Sequence, residues 1–335
     1  MTSSGFLLRT RVADDDAALV ALFNRVFAHR DPAFVPHTLA WWHWKYSQNP
    51  AGSRNVVAED AAGRVVAHYG GVPMRVRAEG EIFDFSQNCD CFADESARRG
   101  LKNPGVVLRL AQAYASTYAR LGQDAVMYGV GTPEAYRLGV KYLDYWMLRT
   151  QPILYSDDAR RLPDWDPTTH AVPVDRFDAR CDVFANAMES RYRCVGRRDA
   201  AFLNWRFAEA PHATYGLVRA RTGDRDDHRG HAVFRVCEYL RRKTCLIVDW
   251  FVPPDDDGAA RSLLRRIAEG GAVAGCEGVA FLCPVSSYWF ARFQDWGFRA
   301  EPSGYVACAR PYDARLPSAY LRDHWWYTFA DFDVV

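Results

Sequence analysis

The spacing of hydrophobic positions changes from a helical period near the start of the chain to short apolar runs, and a similar set of runs followed by a helix recurs in the second half. Residues 12–28 place apolar side chains three and four positions apart, which predicts an amphipathic helix. The short runs, bounded by glycine and polar residues, predict strands over 55–59, 64–71, 72–80, 82–85 and 89–92 in the first half and over 214–220, 231–239 and 244–251 in the second. Helices are expected to begin at Asn103-Pro104 and near Gly258, so that each half forms a mixed α/β lobe.

An internal repeat supports this division into two lobes. Trp44-Lys-Tyr-Ser-Gln-Asn-Pro and Trp205-Arg-Phe-Ala-Glu-Ala-Pro share the order tryptophan, cation, aromatic residue, three further residues and proline. Asp90-Cys-Phe stands 46 residues after the first tryptophan, and Asp249-Trp-Phe stands 44 residues after the second. Each copy then continues through a helical stretch, an apolar strand and a short helix. Three landmarks in one order at near-equal spacing indicate a duplication.

The composition between and after the two copies predicts the domain boundaries. Residues 151–185 are rich in proline and aspartate, which is the composition of a linker. Residues 313–335 hold a cluster of aromatic side chains, and we expect this tail to dock on the lobes because exposed tryptophan pairs are uncommon. The chain is therefore expected to comprise an N-terminal lobe over 1–150, the linker, a C-terminal lobe over 186–312 and the docked tail.

Composition narrows the class of protein. Apolar residues make up 49% of the 335 positions, which excludes a disordered chain, and a net charge of +1 argues against a nucleic-acid binder that relies on bulk charge. The chain has no run of about 18 apolar residues and no signal-peptide pattern, so membrane insertion is not expected. Nine cysteines without CxxC pairs and nine histidines without HxH or HExxH spacing predict a cytoplasmic protein with reduced thiols and no metal site.

The order of the elements resembles that of the GNAT superfamily of N-acetyltransferases, in which a hairpin meander is followed by strand, helix, strand and helix. The chain looks like a tandem of two such lobes, each a mostly antiparallel sheet flanked by helices. It is similar to bacterial double-GNAT proteins associated with polysaccharide and cell-envelope biosynthesis. Trp44-Lys-Tyr46 and Thr328-Phe-Ala-Asp-Phe-Asp333 match two motifs of those proteins, and a third, from Asp90 to Arg99-Gly100, lacks its intervening proline.

The resemblance implies that the loop after the fourth strand of a lobe binds the pyrophosphate of coenzyme A through backbone N–H groups at a helix N-terminus. In the first lobe this region carries basic and glycine residues, although Lys102 takes the position of the family's second glycine. The residues implied to bind acetyl-CoA or another acyl-CoA are Cys91, Phe92, Ala93, Arg98, Arg99, Gly100, Lys102, Asn103, Gly105 and Val106.

The corresponding loop of the second lobe reads Asp255-Asp-Asp-Gly-Ala-Ala260, which keeps the family's spacing but places three carboxylates where phosphates would lie. Like-charge repulsion would weaken binding there, and acidic residues at a helix start are also an ordinary capping arrangement. We therefore place the cofactor in the first lobe and treat the second lobe as degenerate. The weaker candidates of the second lobe are Asp249, Phe251, Val252, Gly258, Ala259 and Ala260.

Two residues of the first lobe are implied to act in catalysis. Asp90 lies where the resembled enzymes carry a general base, which deprotonates the attacking ammonium through water, and this role favours burial among apolar neighbours. The recurrence of this residue as Asp249 leaves open that both carboxylates fix the end of a strand. The family's last helix supplies a tyrosine that protonates the departing thiolate. Tyr136 is the candidate here and Tyr142 the alternative, whereas the second lobe has Phe293 at that position.

The resemblance implies acyl-CoA-dependent transfer, with acetyl expected, to a primary amine of a small molecule or an amino sugar by direct attack in a ternary complex. Two alternatives stay open. One is a FemX-like transferase that uses aminoacyl-tRNA, the interpretation that would bring in a nucleic acid. The other is a binding or regulatory module in which both lobes have lost catalysis, as the altered loops and the missing tyrosine would predict.

Overall fold

The computed structural model describes residues 5–29, 34–98, 105–119, 123–131, 133–157 and 168–333. The strands are β1 (Phe6–Thr10), β2 (Arg54–Asp60), β3 (Val65–Ala78), β4 (Glu81–Ala93), β5 (Val126–Gly131), β6 (Trp146–Ser156), β7 (Thr169–Val174), β8 (Cys194–Gly196), β9 (Gly216–Thr222), β10 (Gly230–Tyr239), β11 (Arg242–Phe251), β12 (Gly278–Phe281), β13 (Arg299–Pro311) and β14 (Trp325–Trp326). The helices are α1 (Asp16–Ala28), α2 (Leu39–Trp42), α3 (Val106–Tyr114), α4 (Pro133–Leu143), α5 (Ala179–Glu189), α6 (Ala200–Leu203), α7 (Asp257–Val273), α8 (Tyr288–Asp295) and α9 (Ser318–His324).

Twelve of these strands follow one another in a single sheet, in the order β1-β2-β3-β4-β5-β13-β6-β12-β11-β10-β9-β7. Neighbours along this path are antiparallel except β4 with β5 and β11 with β12, which are parallel. The short strand β8 joins the edge of β3 and pairs with β14. This mixed α/β fold, with a mostly antiparallel sheet flanked by helices, confirms the fold class expected from the sequence. None of the helices in the described ranges is both long and apolar enough to cross a membrane.

The two lobes exchange their last strands. In the repeat, β5 corresponds to β12 and β6 corresponds to β13, because each pair follows the repeated aspartate at the same place in the element order. However, β5 pairs with β13, and β12 pairs with β6. The exchanged strands also pair with each other along most of their length, which joins both halves into one continuous sheet. The strand that completes the backbone hydrogen bonds of β5 or β12 therefore comes from the other lobe.

The repeated tryptophans meet where the two lobes pack together. The indole N–H of Trp44 donates to the carbonyl of Trp205 at 2.5 Å, and the indole N–H of Trp205 donates to the carbonyl of Trp44 at 2.7 Å. Their rings stack with centroids 5.4 Å apart. Both residues lie in single π-helical turns, His43–Ser47 and Asn204–Ala208, that continue α2 and α6. The repeated motif is thus a reciprocal contact between the lobes.

Regular structure covers much of the segment expected to link the lobes. Strand β6 continues to Ser156, β7 forms the far edge of the sheet beside β9, and α5 begins at Ala179. Residues 158–167 lie outside the described ranges. Most aromatic residues of the tail are buried, with β14 paired to β8, and Tyr320 is half-buried. The exact domain boundaries remain a prediction, since the exchange of β6 and β13 carries backbone pairing across the expected division.

Candidate active site

Strands β4 and β5 part beyond Gln87 and Tyr128, and we call the gap between them the first-lobe slot. Their parallel pairing ends at these two residues, whereas β4 continues to Ala93. The residues Asn88–Cys91 along the unpaired stretch are half-buried, so this part of the strand is accessible from outside. An accessible strand edge offers backbone N–H and C=O groups to an extended ligand. Cys91, which the resemblance implies to bind acyl-CoA, lies along this part of the strand.

The equivalent gap in the second lobe is filled by the chain itself. Strands β11 and β12 pair in parallel as far as Ile247 and Phe281 and then part, but residues 248–251 are all buried. The indole N–H of Trp289, on α8, donates to the carbonyl of Val252 at 3.2 Å. That carbonyl is one of the backbone groups that an extended ligand would otherwise use. The second lobe therefore lacks the accessible strand edge of the first.

The helices that follow these two gaps also begin differently. Helix α3 has Gly105 as its N-cap, with no side-chain cap among the described residues, and a Cβ atom added there would meet nothing within 4 Å. Helix α7 has Asp256 as its N-cap, and its carboxylate accepts a hydrogen bond from the N–H of Ala259 at 3.0 Å. Unpaired N–H groups at a helix start favour anions. As far as the described residues show, the start of α3 has room for one, whereas a carboxylate of the chain already occupies the start of α7.

The three carboxylates of the second-lobe loop are engaged by arginines. This arrangement agrees with the capping interpretation of the sequence and leaves them unavailable for a ligand. The pairs are Asp255 with Arg191 at 2.8 Å, Asp256 with Arg229 at 2.6 Å, and Asp257 with Arg292.

Asp90 lies at a β-bulge in the wall of the first-lobe slot. Residues 90 and 91 of β4 stand opposite the single residue Tyr69 of β3, and Asp90 has a left-handed backbone with φ of 49°. Its Oδ2 atom accepts hydrogen bonds from Nζ of Lys45 at 2.7 Å and from the hydroxyl of Tyr46 at 2.6 Å. Nζ of Lys45 also donates to the carboxylate of Asp333 at 2.5 Å. A buried lysine thus ties the slot to the C-terminal tail.

These contacts correct the surroundings that the sequence analysis assumed for Asp90. The carboxylate faces a buried ammonium group and a buried hydroxyl instead of a wholly apolar environment. Both hydrogen bonds end on Oδ2, so Oδ1 has no hydrogen-bond partner among the described residues. Burial and then the charge of Asp90 raise the pKa of Tyr46 well above its usual value, so its hydroxyl stays protonated at neutral pH. The carboxylate of Asp90 is therefore held at Oδ2 by Lys45 and Tyr46, with Oδ1 left without a described partner.

Tyrosines other than the predicted one lie nearest to the slot. Tyr136, in the first turn of α4, is half-buried against an apolar cluster, and Tyr142 is exposed. The hydroxyl of the buried Tyr145 contacts Oδ1 of Asn88, at the point where β4 and β5 part. Tyr46, Tyr145 and Lys45 were not among the predicted site residues. Lys45 and Tyr46 belong to the repeated tryptophan motif, which is the signal that could have identified them.

Asp249, the counterpart of Asp90, is a structural residue. Its side chain is 0% exposed and accepts hydrogen bonds from Nε of Arg198 at 3.0 Å and from the hydroxyl of Thr328 at 2.7 Å. Burial alone would raise the pKa of this carboxyl group, but the adjacent Arg198 guanidinium outweighs it and lowers the pKa to about 2. A carboxylate so firmly held in its ionised form is a poor proton acceptor.

The remaining predicted residues divide between the slot, the buried core and undescribed positions. Cys91 is half-buried in the slot, and the backbone of Arg98 lies in a 3₁₀ turn. Phe92, Ala93, Val106, Phe251, Val252, Ala259 and Ala260 are buried, and Gly258 is half-buried. The residues outside the described ranges are Arg99, Gly100, Lys102 and Asn103.

A buried hydrogen-bond network holds α3 against the sheet. The hydroxyl of Tyr114 meets that of Ser86 at 2.7 Å and donates to Asp124 at 3.2 Å, and Nε of Arg54 donates to Asp124 at 3.0 Å. A Cβ atom added at Gly71 would lie 1.9 Å from the Tyr114 hydroxyl, so this close approach requires glycine. Burial raises the pKa of Asp124 to about 6, although Arg54 opposes the shift. The network fixes the helix whose start faces the slot.

This raised pKa makes a prediction for stability. The folded protein binds a proton at Asp124 more tightly than the unfolded chain, so the stabilisation is present below about pH 4 and is lost as the pH rises through about 6. We expect the stability advantage of the wild type over Asp124→Asn to fall by about 2 kcal/mol between pH 4 and pH 7. Urea unfolding at several pH values measures this difference. Parallel stability curves for the two proteins would contradict the assignment.

Comparison with known proteins supports the same fold. No protein-family model and no curated protein matches the chain. A solved structure of a protein of unknown function from Enterococcus faecalis, described as a probable N-acyltransferase, is similar at 13% identity with a TM-score of 0.65, over 92% of this chain and 73% of that one. A GCN5-related N-acetyltransferase from Anabaena variabilis gives the same identity and coverage with a TM-score of 0.64.

A third structure matches the two-lobe organisation. It is a tandem GNAT protein from the clavulanic acid biosynthesis pathway, which is similar at 13% identity with a TM-score of 0.59 and covers 92% of this chain and 98% of its own. Such low identities establish the fold and leave the activity open. The repeat, the exchanged strands and these likenesses together show that the chain has the fold of a tandem GNAT protein.

Proposed function

We propose that the protein is an acyl-CoA-dependent N-acyltransferase, in which the first lobe is catalytic and the second is degenerate. The observation that carries the proposal is the contrast between the lobes. The first lobe has an accessible strand edge and room for an anion at the start of α3, whereas the second lobe closes both places with Trp289 and Asp256. The acyl group is expected to be acetyl, and the acceptor a primary amine of a small molecule or an amino sugar.

The residues of the first lobe fit such a ligand. The N–H groups at the start of α3, beside Gly105, would hold the pyrophosphate, and the half-buried stretch of β4 over Asn88–Cys91 would hold the extended arm. The bound acyl-CoA supplies an activated thioester. The nitrogen of the amine attacks its carbonyl carbon and the carbon–sulfur bond breaks.

Asp90 and Tyr136 have distinct proposed roles in proton transfer. Oδ1 of Asp90, with no partner among the described residues, would accept the proton that the ammonium loses, while Lys45 and Tyr46 hold Oδ2 in position. Tyr136 remains the proposed donor to the departing thiolate, because it lies in the first turn of α4 directly after β5.

A charge placed at the start of α3 tests this proposal. Gly105→Asp would copy the capping arrangement of the second lobe, and no atom of the described residues lies within 4 Å of the added Cβ atom. We expect the carboxylate to weaken the binding of acetyl-CoA at least about tenfold through like-charge repulsion. The neutral cap Gly105→Asn should change the affinity less than about threefold. Calorimetric titration with acetyl-CoA, and with coenzyme A alone, measures both effects.

The second lobe supplies the control. Asp255→Arg removes an exposed carboxylate that pairs only with Arg191 among the described residues, and it should leave binding unchanged. One acetyl-CoA per chain, weakened by Gly105→Asp and not by Asp255→Arg, would support the first lobe as the site. If Asp255→Arg changed the affinity and Gly105→Asp did not, the binding site would lie in the second lobe and the proposal would be wrong. No binding at millimolar acetyl-CoA would overturn the acyltransferase and favour a non-catalytic module.

A further inference from the structure

Two histidines and a cysteine converge in the second lobe, away from the first-lobe slot. Cys181 lies in the first turn of α5, His228 in the loop before β10, and His231 at the start of β10. Their ligand atoms, one from each residue, all lie within 4.8 Å of one another. Cys181 and His231 are buried, and His228 is half-buried. We propose that these three side chains bind one zinc ion.

The chemistry of the three groups suits this ion. Thiolate sulfur and imidazole nitrogen are the donors that zinc prefers, and three protein ligands leave a fourth position for a molecule from solvent. Nε2 of His228 and Nδ1 of His231 are 3.1 Å apart. Two nitrogen ligands of a tetrahedral zinc ion stand about 3.3 Å apart, given zinc–nitrogen bonds of about 2.0–2.1 Å. The half-buried position of His228 provides the route by which the ion enters.

Binding would replace weak contacts with metal bonds. Without the ion, one imidazole donates to the other, and the thiol of Cys181 donates to the carbonyl of Arg198 at 3.5 Å. With the ion, both nitrogens offer their lone pairs to zinc and the sulfur binds as a thiolate. One proton per ion therefore leaves the protein, from the thiol, while each imidazole remains neutral.

The internal repeat supplies a comparison that sets His231 apart. His231 stands opposite Phe251 across two strands, as His68 stands opposite Phe92 in the first lobe. Both ring nitrogens of His68 are hydrogen-bonded, Nδ1 to the carbonyl of Asp90 at 2.7 Å and Nε2 to Asn55 at 2.9 Å. The first-lobe histidine is thus fully engaged by the protein.

Nε2 of His231 has no hydrogen-bond partner among the described residues and lies 3.7 Å from the carboxylate of Asp249. A histidine that binds a metal through one nitrogen commonly directs the other N–H toward a carboxylate, which orients the ring. Asp249 is placed for that role, with Nδ1 of His231 left to face His228. The duplicated position has therefore diverged from a purely structural histidine toward a ligand.

A second group of potential metal ligands differs from the first because a lysine of the chain lies among them. Ligand atoms of Cys89, Asp90 and Asp333 also lie within 4.8 Å of one another. The ammonium of Lys45 stands between the two carboxylates, 2.7 Å and 2.5 Å from their oxygens. A cation of the chain already provides the positive charge there. No such cation pairs with the Cys181–His228–His231 group in the described residues.

The test uses the full chain, stripped of metal by a chelator and then titrated with zinc in competition with a chromogenic chelator. We expect one zinc per chain and the release of one proton. Cobalt(II), used as a spectroscopic substitute, should give the absorption of a tetrahedral ion with a thiolate ligand. Cys181→Ser should abolish the thiolate band, and His228→Asn should weaken zinc binding at least about 100-fold.

Matched variants guard against loss of folding. Cys194→Ser changes another buried cysteine, and His37→Asn changes another half-buried histidine, both outside the group. Zinc uptake should be unchanged in these two proteins, and His228→Asn, at a half-buried position, should retain the circular dichroism spectrum of the wild type. The proposal would be overturned if the wild type took up fewer than about 0.1 zinc ions per chain. It would also be overturned if Cys181→Ser and His228→Asn took up as much zinc as the wild type.

Discussion

Replacing Arg198 with methionine should lower the free energy of unfolding by about 3–5 kcal/mol. The guanidinium is 0% exposed and lies between two carboxylates that are equally buried. Nε donates to Asp249 at 3.0 Å, and the terminal nitrogens donate to Asp331 at 3.0 Å and 2.5 Å. Methionine fills a similar volume but leaves two buried carboxylates without their counter-ion. Because Asp331 belongs to the tail, the change should also loosen the tail from the second lobe.

Urea unfolding at neutral pH measures this effect against a surface control. Arg322 is half-exposed and pairs only with its neighbour Asp323 among the described residues, so Arg322→Met should change stability by less than about 0.5 kcal/mol. Adding Asp249→Asn and Asp331→Asn to Arg198→Met should restore much of the loss, because it removes the uncompensated charges. Equal stabilities of Arg198→Met and Arg322→Met would contradict this account.

Local patterns in the sequence predicted part of the sheet, but they divided two of its strands. The runs expected over 64–71 and 72–80 form the single strand β3, and those over 82–85 and 89–92 form the single strand β4. The runs predicted over 214–220, 231–239 and 244–251 correspond to β9, β10 and β11, which end or begin within two residues of those bounds. Apolar spacing and turn residues act over a few positions, so periodicity registers them. Helix α3 begins at Val106 with Gly105 as its N-cap, and the start expected at Asn103-Pro104 lies outside the described residues. A cap is set by backbone geometry, and several residues in a polar loop can satisfy the same pattern.

The exchange of β6 and β13 could not be predicted in this way. Periodicity states which residues form a strand and which face is apolar, but it does not name the neighbouring strand. Apolar and polar residues would alternate in the same way whether the last strand paired within its own lobe or with the other lobe. The choice depends on packing between segments far apart in the chain, such as the stacked Trp44 and Trp205, which are 161 residues apart.

The same distinction explains what the sequence revealed about the candidate site. Asp90 was found because an aspartate recurs in the repeat at a near-equal distance from a tryptophan. Its partner Lys45 lies inside that repeated motif, but the third member of the group, Asp333, is 288 residues from Lys45. The histidine pair at 228 and 231 has a spacing that sequence reasoning can notice, whereas Cys181 comes near them only through the packing of α5 on β10.

Lys45 is the buried cation beside the first-lobe slot, and its replacement is expected to destabilise the protein nearly as much as that of Arg198. Nζ of Lys45 holds Asp90 and Asp333 together, and the side chain is 2% exposed. Lys45→Met should lower the free energy of unfolding by about 2–4 kcal/mol, less than the loss at Arg198 because Asp333 is partly exposed and can regain water. Asp333→Asn in the same protein should recover part of the loss.

Arg206 occupies the position of Lys45 in the second copy and provides the matched control. It is also buried, but it donates to the carbonyl of Phe332 at 2.9 Å and pairs with no carboxylate within 4.0 Å among the described residues. Arg206→Met should therefore cost about 1.5 kcal/mol, the lower end of the range for a hydrogen bond that involves a charged group, because no carboxylate loses its counter-ion. Urea unfolding of both variants separates the two cases. If the two substitutions were equally destabilising, lost packing would explain both, and the ion pairs of Lys45 would not be what holds the tail to the first-lobe slot.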